Sequence, residues 1–191
     1  AIGVIGVKNS PRFVQPKKRR NLVSALKSST PEIKRVWVIA DLPEQDVAEA
    51  LTGVGTPSVI QLHGQETKQT CENLRENFPG TELWKAFRIK NEKDLLLLDD
   101  YKGIVDAFLL DTWSPNHIGG TGKRLPIEWL KGFDVPQPWW LAGGICADCI
   151  PELLSEISPW GIDASSRLEV SPGIKDLVLV KDLVKVVVNN Q

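Results

Sequence analysis

WWLAGGICADCIPELLSEISPWGIDASS, residues 139–166, holds one complete repeat of the pattern that sets the fold. Trp139–Ala142 is a short apolar run ending in Gly143-Gly144. Asp148 then offers a cap for a helix that presents Ile150, Leu154 and Ile157 at spacings of four and three. A second short run, Gly161–Ala164, follows and ends in Ser165-Ser166. The unit therefore reads strand, helix, strand.

Earlier segments repeat the pattern, with candidate strands at Ile2–Val7, Arg35–Ala40, Ser58–Leu62, Leu83–Phe87 and Ala107–Asp111. Most are continuously apolar instead of alternating, the mark of parallel strands covered on both faces. Pro16 starts a helix that turns Leu22, Val23 and Leu26 inward, with the basic run Lys17–Arg20 as its solvated face. Asp41 is placed to cap the next, with Val47, Leu51 and Val54 on one stripe. Cys71, Leu74 and Phe78 make a third stripe, and Asn91 caps a short helix over Leu95–Leu98. The last helix, from about Asp176, repeats Leu177, Val180, Val184 and Val187. No linker or low-complexity segment interrupts the alternation, so residues 1–191 are expected to form a single domain. Two architectures suit it, an open doubly wound sheet or a closed (β/α)8 barrel, and both gather function at the C-terminal ends of the strands.

Composition excludes several classes of function. Lys and Arg number 23 against 24 Asp and Glu, a formal net charge of −1, so the basic excess of a nucleic-acid surface is missing. No apolar run approaches the roughly 20 residues that a membrane helix needs. Cys71, Cys146 and Cys149 do not make the dense, even framework of a secreted disulfide scaffold. A cytoplasmic or organellar location is expected. Cys146-x-x-Cys149 has redox spacing but no second cysteine pair or histidine cluster to complete a zinc site, so no metal is expected. The chain has no Met and opens directly in an apolar stretch, like the middle of a longer protein.

The strand ends carry the chemistry. A Gly143-Gly144 pair lets backbone N–H groups approach a ligand closely, and Ser165-Ser166 adds hydroxyls one unit later. Adjacent loops of this kind hold phosphate in many barrels. Asp111 is an acid at the end of an apolar strand, ahead of a loop containing Gly119-Gly120-Thr121-Gly122, a placement that favours a general acid. His63, ending Gln61-Leu62-His63-Gly64, reads as a packed or orienting residue. Arg12, after Ser10-Pro11, presents a fork that matches a carboxylate.

At these residues the chain resembles the phosphoribosylanthranilate isomerase family. The segment Val59–Gly64 with Glu66, the segment Leu109–Thr112 followed by Gly119–Gly122, and Leu141–Gly144 look like successive motifs of that family. So do Gly161–Ser166 with Glu169, Pro172, Gly173, Lys175 and Asp176, and Ser10–Val14. The resemblance runs from end to end of the chain in register. It implies a (β/α)8 barrel and a cofactor-free Amadori rearrangement of a small phosphorylated substrate, in a monomer or homodimer with no nucleic-acid or membrane partner. Asp111 would be the general acid and Arg12 would hold the substrate carboxylate. Gly143, Gly144, Ser165 and Ser166 would hold the phosphate, while Gln61, His63 and Asp163 would line or orient the sugar site.

Two departures stand out. The family's general base is a Cys at the end of the first strand, in a motif this chain lacks; Ala1-Ile-Gly-Val aligns with the family's second strand. A first βα unit of roughly 30 residues is therefore expected upstream, and the 191 residues alone are expected to be inactive with two bare apolar sheet edges, Ile2–Val7 and Gly161–Ala164. Arg167 also stands where the family usually has Gly. The alternative is a non-catalytic phosphate-ligand-binding barrel lacking the base, although such a remnant has no need of Asp111 or Arg12. An indoleglycerol-phosphate synthase would show several catalytic Lys and Glu at strand ends, and only Lys85 offers itself here, mid-strand.

Overall fold

Where apolar residues run without alternation, the chain forms parallel strands with both faces buried. The computed structural model describes residues 1–113 and 124–190; the expected Gly119–Gly122 motif lies outside them. The chain divides into two compact units, Ala1–Ala86 with Gly103–Asp106, and Phe87–Lys102 with Ala107–Gln191.

In the first unit, β1 (Ile2–Ile5), β2 (Arg35–Ile39), β3 (Val59–Leu62) and the start of β4 (Glu82–Ile89) pair in parallel, in chain order. Ile2 faces Arg35, Val36 faces Val59, and Val59 faces Glu82. Helices α1 (Pro16–Ser29), α2 (Glu44–Ala50) and α3 (Lys68–Asn77) connect them. In the second unit, β5 (Ala107–Thr112), β6 (Trp139–Leu141) and β7 (Gly161–Ile162) pair in parallel, again in chain order. A 3-10 turn, Ala147–Cys149, leads into α4 (Ile150–Glu156). A small antiparallel hairpin, β8 (Glu169–Ser171) and β9 (Ile174–Lys175), then leads to α5 (Leu177–Asn189). The hairpin is too short for hydrophobic periodicity to show it. Phe87 anchors the second core, meeting Tyr101 and Phe108 edge-on at ring-centroid distances of 5.2 and 5.3 Å. A methyl group on Gly161 would collide with the Trp140 ring, so only glycine lets β7 lie this close to β6.

Caps and faces depart from expectation in instructive ways. Asn91 does cap, accepting from Lys93 N at 3.1 Å while Asp94 accepts from Asn91 N at 3.1 Å; the helix it starts, Glu92–Tyr101, is 3-10. Asp41 does not cap. Its backbone is left-handed (φ 51°), Pro43 precedes α2, and its carboxylate accepts from Gln65 N at 2.6 Å. Asp148 sits inside the 3-10 turn. There the Cys149 thiol donates to Cys146 O at 3.0 Å and accepts from Cys146 N at 3.3 Å, so the cysteine pair closes the helix entry. α2 ends at Ala50 and the chain turns through Gly53 and Gly55 at φ 76° and 74°; Arg20 takes the carbonyls of Glu49, Thr52 and Val54, and Val54 is exposed instead of on a buried stripe. The buried residue of α5 is Leu183, while Leu177 and Val184 face outward. On α1, Val23 is buried but Leu22 is exposed. The basic run is not wholly solvated either: Arg19 is 5% exposed.

The loops that follow β2 and β3 are tied to the middle of β4 by one buried pair. Lys85 Nζ lies 3.0 Å from Glu66 Oε2 and donates to Gly64 O at 3.0 Å, and the two side chains are buried. Glu66 also accepts from Asp41 N at 2.9 Å and from Gly64 N at 3.0 Å. Lys85 thus has a structural partner on the strand-end loop. Glu66→Ala would take from a buried ammonium the carboxylate 3.0 Å away, so we expect a stability loss of about 3–5 kcal/mol, read from the urea midpoint. An unchanged midpoint would contradict this account of the pair.

Candidate functional site

The ends of β5, β6 and β7 converge on one cavity of the second unit, about 30 Å³ in volume, lined by Asp111, Gly143, Gly144, Asp163, Ser165 and Ser166, with Arg167 beside them. Each strand delivers its group for a local reason. β5 is wholly apolar until its last buried residue, Asp111 (4% exposed), whose Oδ1 accepts from Thr112 N at 2.8 Å. After β6 the chain turns through Gly143 and Gly144 at φ 91° and 63°. A side chain is strained at either, so the turn remains bare backbone open to close approach. After β7, Ser165 leads into the 3-10 turn Ser166–Leu168.

Ser165 is held from behind. Lys175 Nζ donates to Ser165 O at 2.9 Å, to Ser165 Oγ at 3.2 Å, and to the buried carboxylate of Glu169 at 2.9 Å. An ammonium only donates, so Ser165 Oγ accepts here and keeps its own O–H to give elsewhere. The β8–β9 hairpin makes this possible: Gly173, at φ 85°, reverses the chain, and Asp176 N then donates to Leu168 O at 2.9 Å. Reading strand ends alone did not single out Lys175 for a role; the Pro172-Gly173 turn between two short segments was its signal.

Three further expected residues belong to the first unit. Gln61 and His63 end β3, both buried, with Gln61 Nε2 3.0 Å from His63 Nδ1. The amide nitrogen donates, so Nδ1 accepts. Arg12 lies half-buried in the loop after β1, where its N–H donates to Ser10 Oγ at 3.2 Å. The structure therefore gathers Asp111, Gly143, Gly144, Asp163, Ser165 and Ser166 around one cavity, and pairs Gln61 with His63 in the other unit.

The cysteines are structural. Cys71 is fully buried, and burial pushes its thiol up to about 11. Burial also raises the Cys149 thiol. Among the described residues, no three His, Cys, Asp or Glu side chains gather as a metal site, and no helix is long and apolar enough to cross a membrane.

Comparison with known proteins identifies a family for the sequence. The model of the N-(5′-phosphoribosyl)anthranilate (PRA) isomerase family matches residues 1–186. An N-(5′-phosphoribosyl)anthranilate isomerase of Synechococcus elongatus is 42% identical over 183 residues, covering 96% of this chain and 83% of the relative. The solved phosphoribosyl anthranilate isomerase of Thermotoga maritima shares the fold with a TM-score of 0.86 at 24% identity, covering 98% of this chain and 87% of its own. Another solved member, in complex with reduced 1-(o-carboxyphenylamino)-1-deoxyribulose 5-phosphate, aligns with a TM-score of 0.80 at 22% identity, covering 98% of this chain and 86% of its own. The chain belongs to the N-(5′-phosphoribosyl)anthranilate isomerase family.

Proposed function

We propose that the natural protein carrying this chain catalyses the family's reaction in tryptophan biosynthesis, the Amadori rearrangement of N-(5-phosphoribosyl)anthranilate to 1-(2-carboxyphenylamino)-1-deoxyribulose 5-phosphate, with the general base supplied from outside these 191 residues. One observation carries the reading: a buried carboxylate, Asp111, shares a cavity with the Gly143-Gly144 turn and with Ser165 and Ser166. That is the pairing of an acid with an anion seat that a phosphosugar isomerase needs. Its fold is read as an eight-fold barrel to which the seven parallel strands belong.

In this mechanism the phosphate is held by the backbone of the Gly143-Gly144 turn and by Ser165 and Ser166. The Ser165 O–H points to the ligand because Lys175 occupies its oxygen, and Lys175 and Arg167 add positive charge nearby. Arg12 takes the anthranilate carboxylate in a two-point grip. With both ends of the substrate fixed, Asp111 gives its proton to the ribose ring oxygen. The C1′–O bond breaks, the nitrogen lone pair forms the Schiff base, and Asp111 is left as a carboxylate. A base then removes the C2′ proton, and the electron pair moves to nitrogen to give the enamine that tautomerises to the ketone. Gln61, His63 and Asp163 line the sugar in this reading. Cys71 and Cys149 are poor candidates for the base, being buried thiols held in the protonated form.

Asp111→Asn in the full-length natural protein is expected to lower kcat by roughly 10²–10⁴-fold, the usual worth of general acid catalysis, while binding of the reduced product analogue survives. Turnover at the parent rate would remove Asp111 from the mechanism, and analogue binding with no turnover even in the parent protein would favour a binding-only barrel. Ser165→Ala and Lys175→Met are each expected to raise KM by about tenfold with little change in kcat, and the double variant by no more than either alone, since the two act as one unit. Additive effects in steady-state kinetics would separate them.

A further inference from the structure

The cavity at the ends of β5, β6 and β7 mixes charges of both signs. Among its described lining residues are two acidic side chains, Asp111 and Asp163, and one cation, Arg167. The remaining donors that a ligand meets there, the Gly143-Gly144 backbone and the Ser165 and Ser166 hydroxyls, carry no net charge. Lys175 is already committed. Its ammonium stands behind Ser165 and shares its charge with the buried carboxylate of Glu169, 2.9 Å away.

Arg167 combines a fixed backbone with an uncommitted side chain. It is the middle residue of the 3-10 turn Ser166–Leu168. Leu168 N donates to Ser165 O at 3.1 Å, Leu168 O accepts from Asp176 N at 2.9 Å, and the Leu168 side chain is buried. The turn is thereby held against the core, and Arg167 is held at the cavity. Its own side chain is exposed, and among the described residues its guanidinium makes no hydrogen bond or ion pair. An accessible cation thus lies beside the anion seat with its planar set of donors unused. Coulomb energy grows with the product of the charges. Asp163 therefore opposes each added negative charge on a ligand, and Arg167 is the lining residue whose charge offsets that opposition.

We propose that Arg167 is the specificity-determining residue of this cavity. Its guanidinium closes on the phosphate oxygens and makes the seat prefer a doubly charged phosphate ester to a singly charged group. The inference deepens the phosphate-seat reading above and rests on it. A contact confined to the phosphate holds substrate and transition state alike, so it acts on KM and not on kcat.

The test is competition against substrate in the full-length natural protein, with inorganic sulfate as a dianion and methanesulfonate as a monoanion of similar shape. In the parent protein, sulfate is expected to inhibit competitively at a concentration about tenfold lower than methanesulfonate, the usual worth of a charge-assisted contact. Arg167→Met keeps the backbone and the apolar stem but removes the charge. The side chain has no partner in the fold, so this variant should fold as the parent does. It should bring the two inhibition constants within about twofold of each other and raise KM by about tenfold, with little change in kcat. Arg167→Lys should keep most of the sulfate preference. A preference that survives in Arg167→Met would overturn the proposal and leave the seat itself standing. Failure of both anions to compete in the parent protein would instead remove the phosphate seat, and the proposal with it.

Discussion

Parallel pairing buries the inner strands so thoroughly that polar chemistry has only one place to appear. From Val59 to Leu62, and from Ala107 to Asp111, no residue is more than 5% exposed. A polar group within such a run must be satisfied by a neighbour or sit at its end. Gln61 meets the condition through His63. Asp111 meets it through the Thr112 amide and by facing the cavity at the tip of β5. The same burial that stabilises the strands therefore concentrates acid, amides and hydroxyls where they end.

Those ends would be loose loops without a second layer of polar contacts. In the first unit, Glu66 collects the Asp41 and Gly64 amides and the Lys85 ammonium. In the second, Lys175 collects Ser165 and Glu169. Both arrangements spend one Lys–carboxylate pair on holding a strand-end loop, and both place the lysine so that it donates to the backbone carbonyl of that loop. Preorganisation of this sort fixes where donors point before a ligand arrives, which is what a phosphate seat and a proton donor require.

Much of this was legible from residue order. Continuous apolar runs such as Phe108-Leu109-Leu110 announced buried parallel strands, and Asp111, Gly143-Gly144 and Ser165-Ser166 stood at their ends where the cavity forms. What escaped was set by tertiary geometry. Asp41 looked like a cap, but its left-handed backbone turns its carboxylate to Gln65. Arg19 looked solvated within a basic run, yet the indole of Trp37, distant in sequence, covers it. The α5 stripe was displaced because β-branched residues fill that helix on every side, so periodicity alone could not select Leu183 as the buried one. The hairpin that delivers Lys175 spans too few residues to leave a periodic signal.

The central claim is that one cavity serves as both phosphate seat and acid site. Its most direct test is a crystal structure of the full-length natural protein with reduced 1-(o-carboxyphenylamino)-1-deoxyribulose 5-phosphate, the compound bound in a solved member of the family. The account predicts the phosphate against the Gly143-Gly144 backbone and the Ser165 and Ser166 donors, with Asp111 within hydrogen-bond distance of the sugar chain. A phosphate seated away from these residues, or an Asp111 carboxylate that touches no part of the ligand, would contradict it.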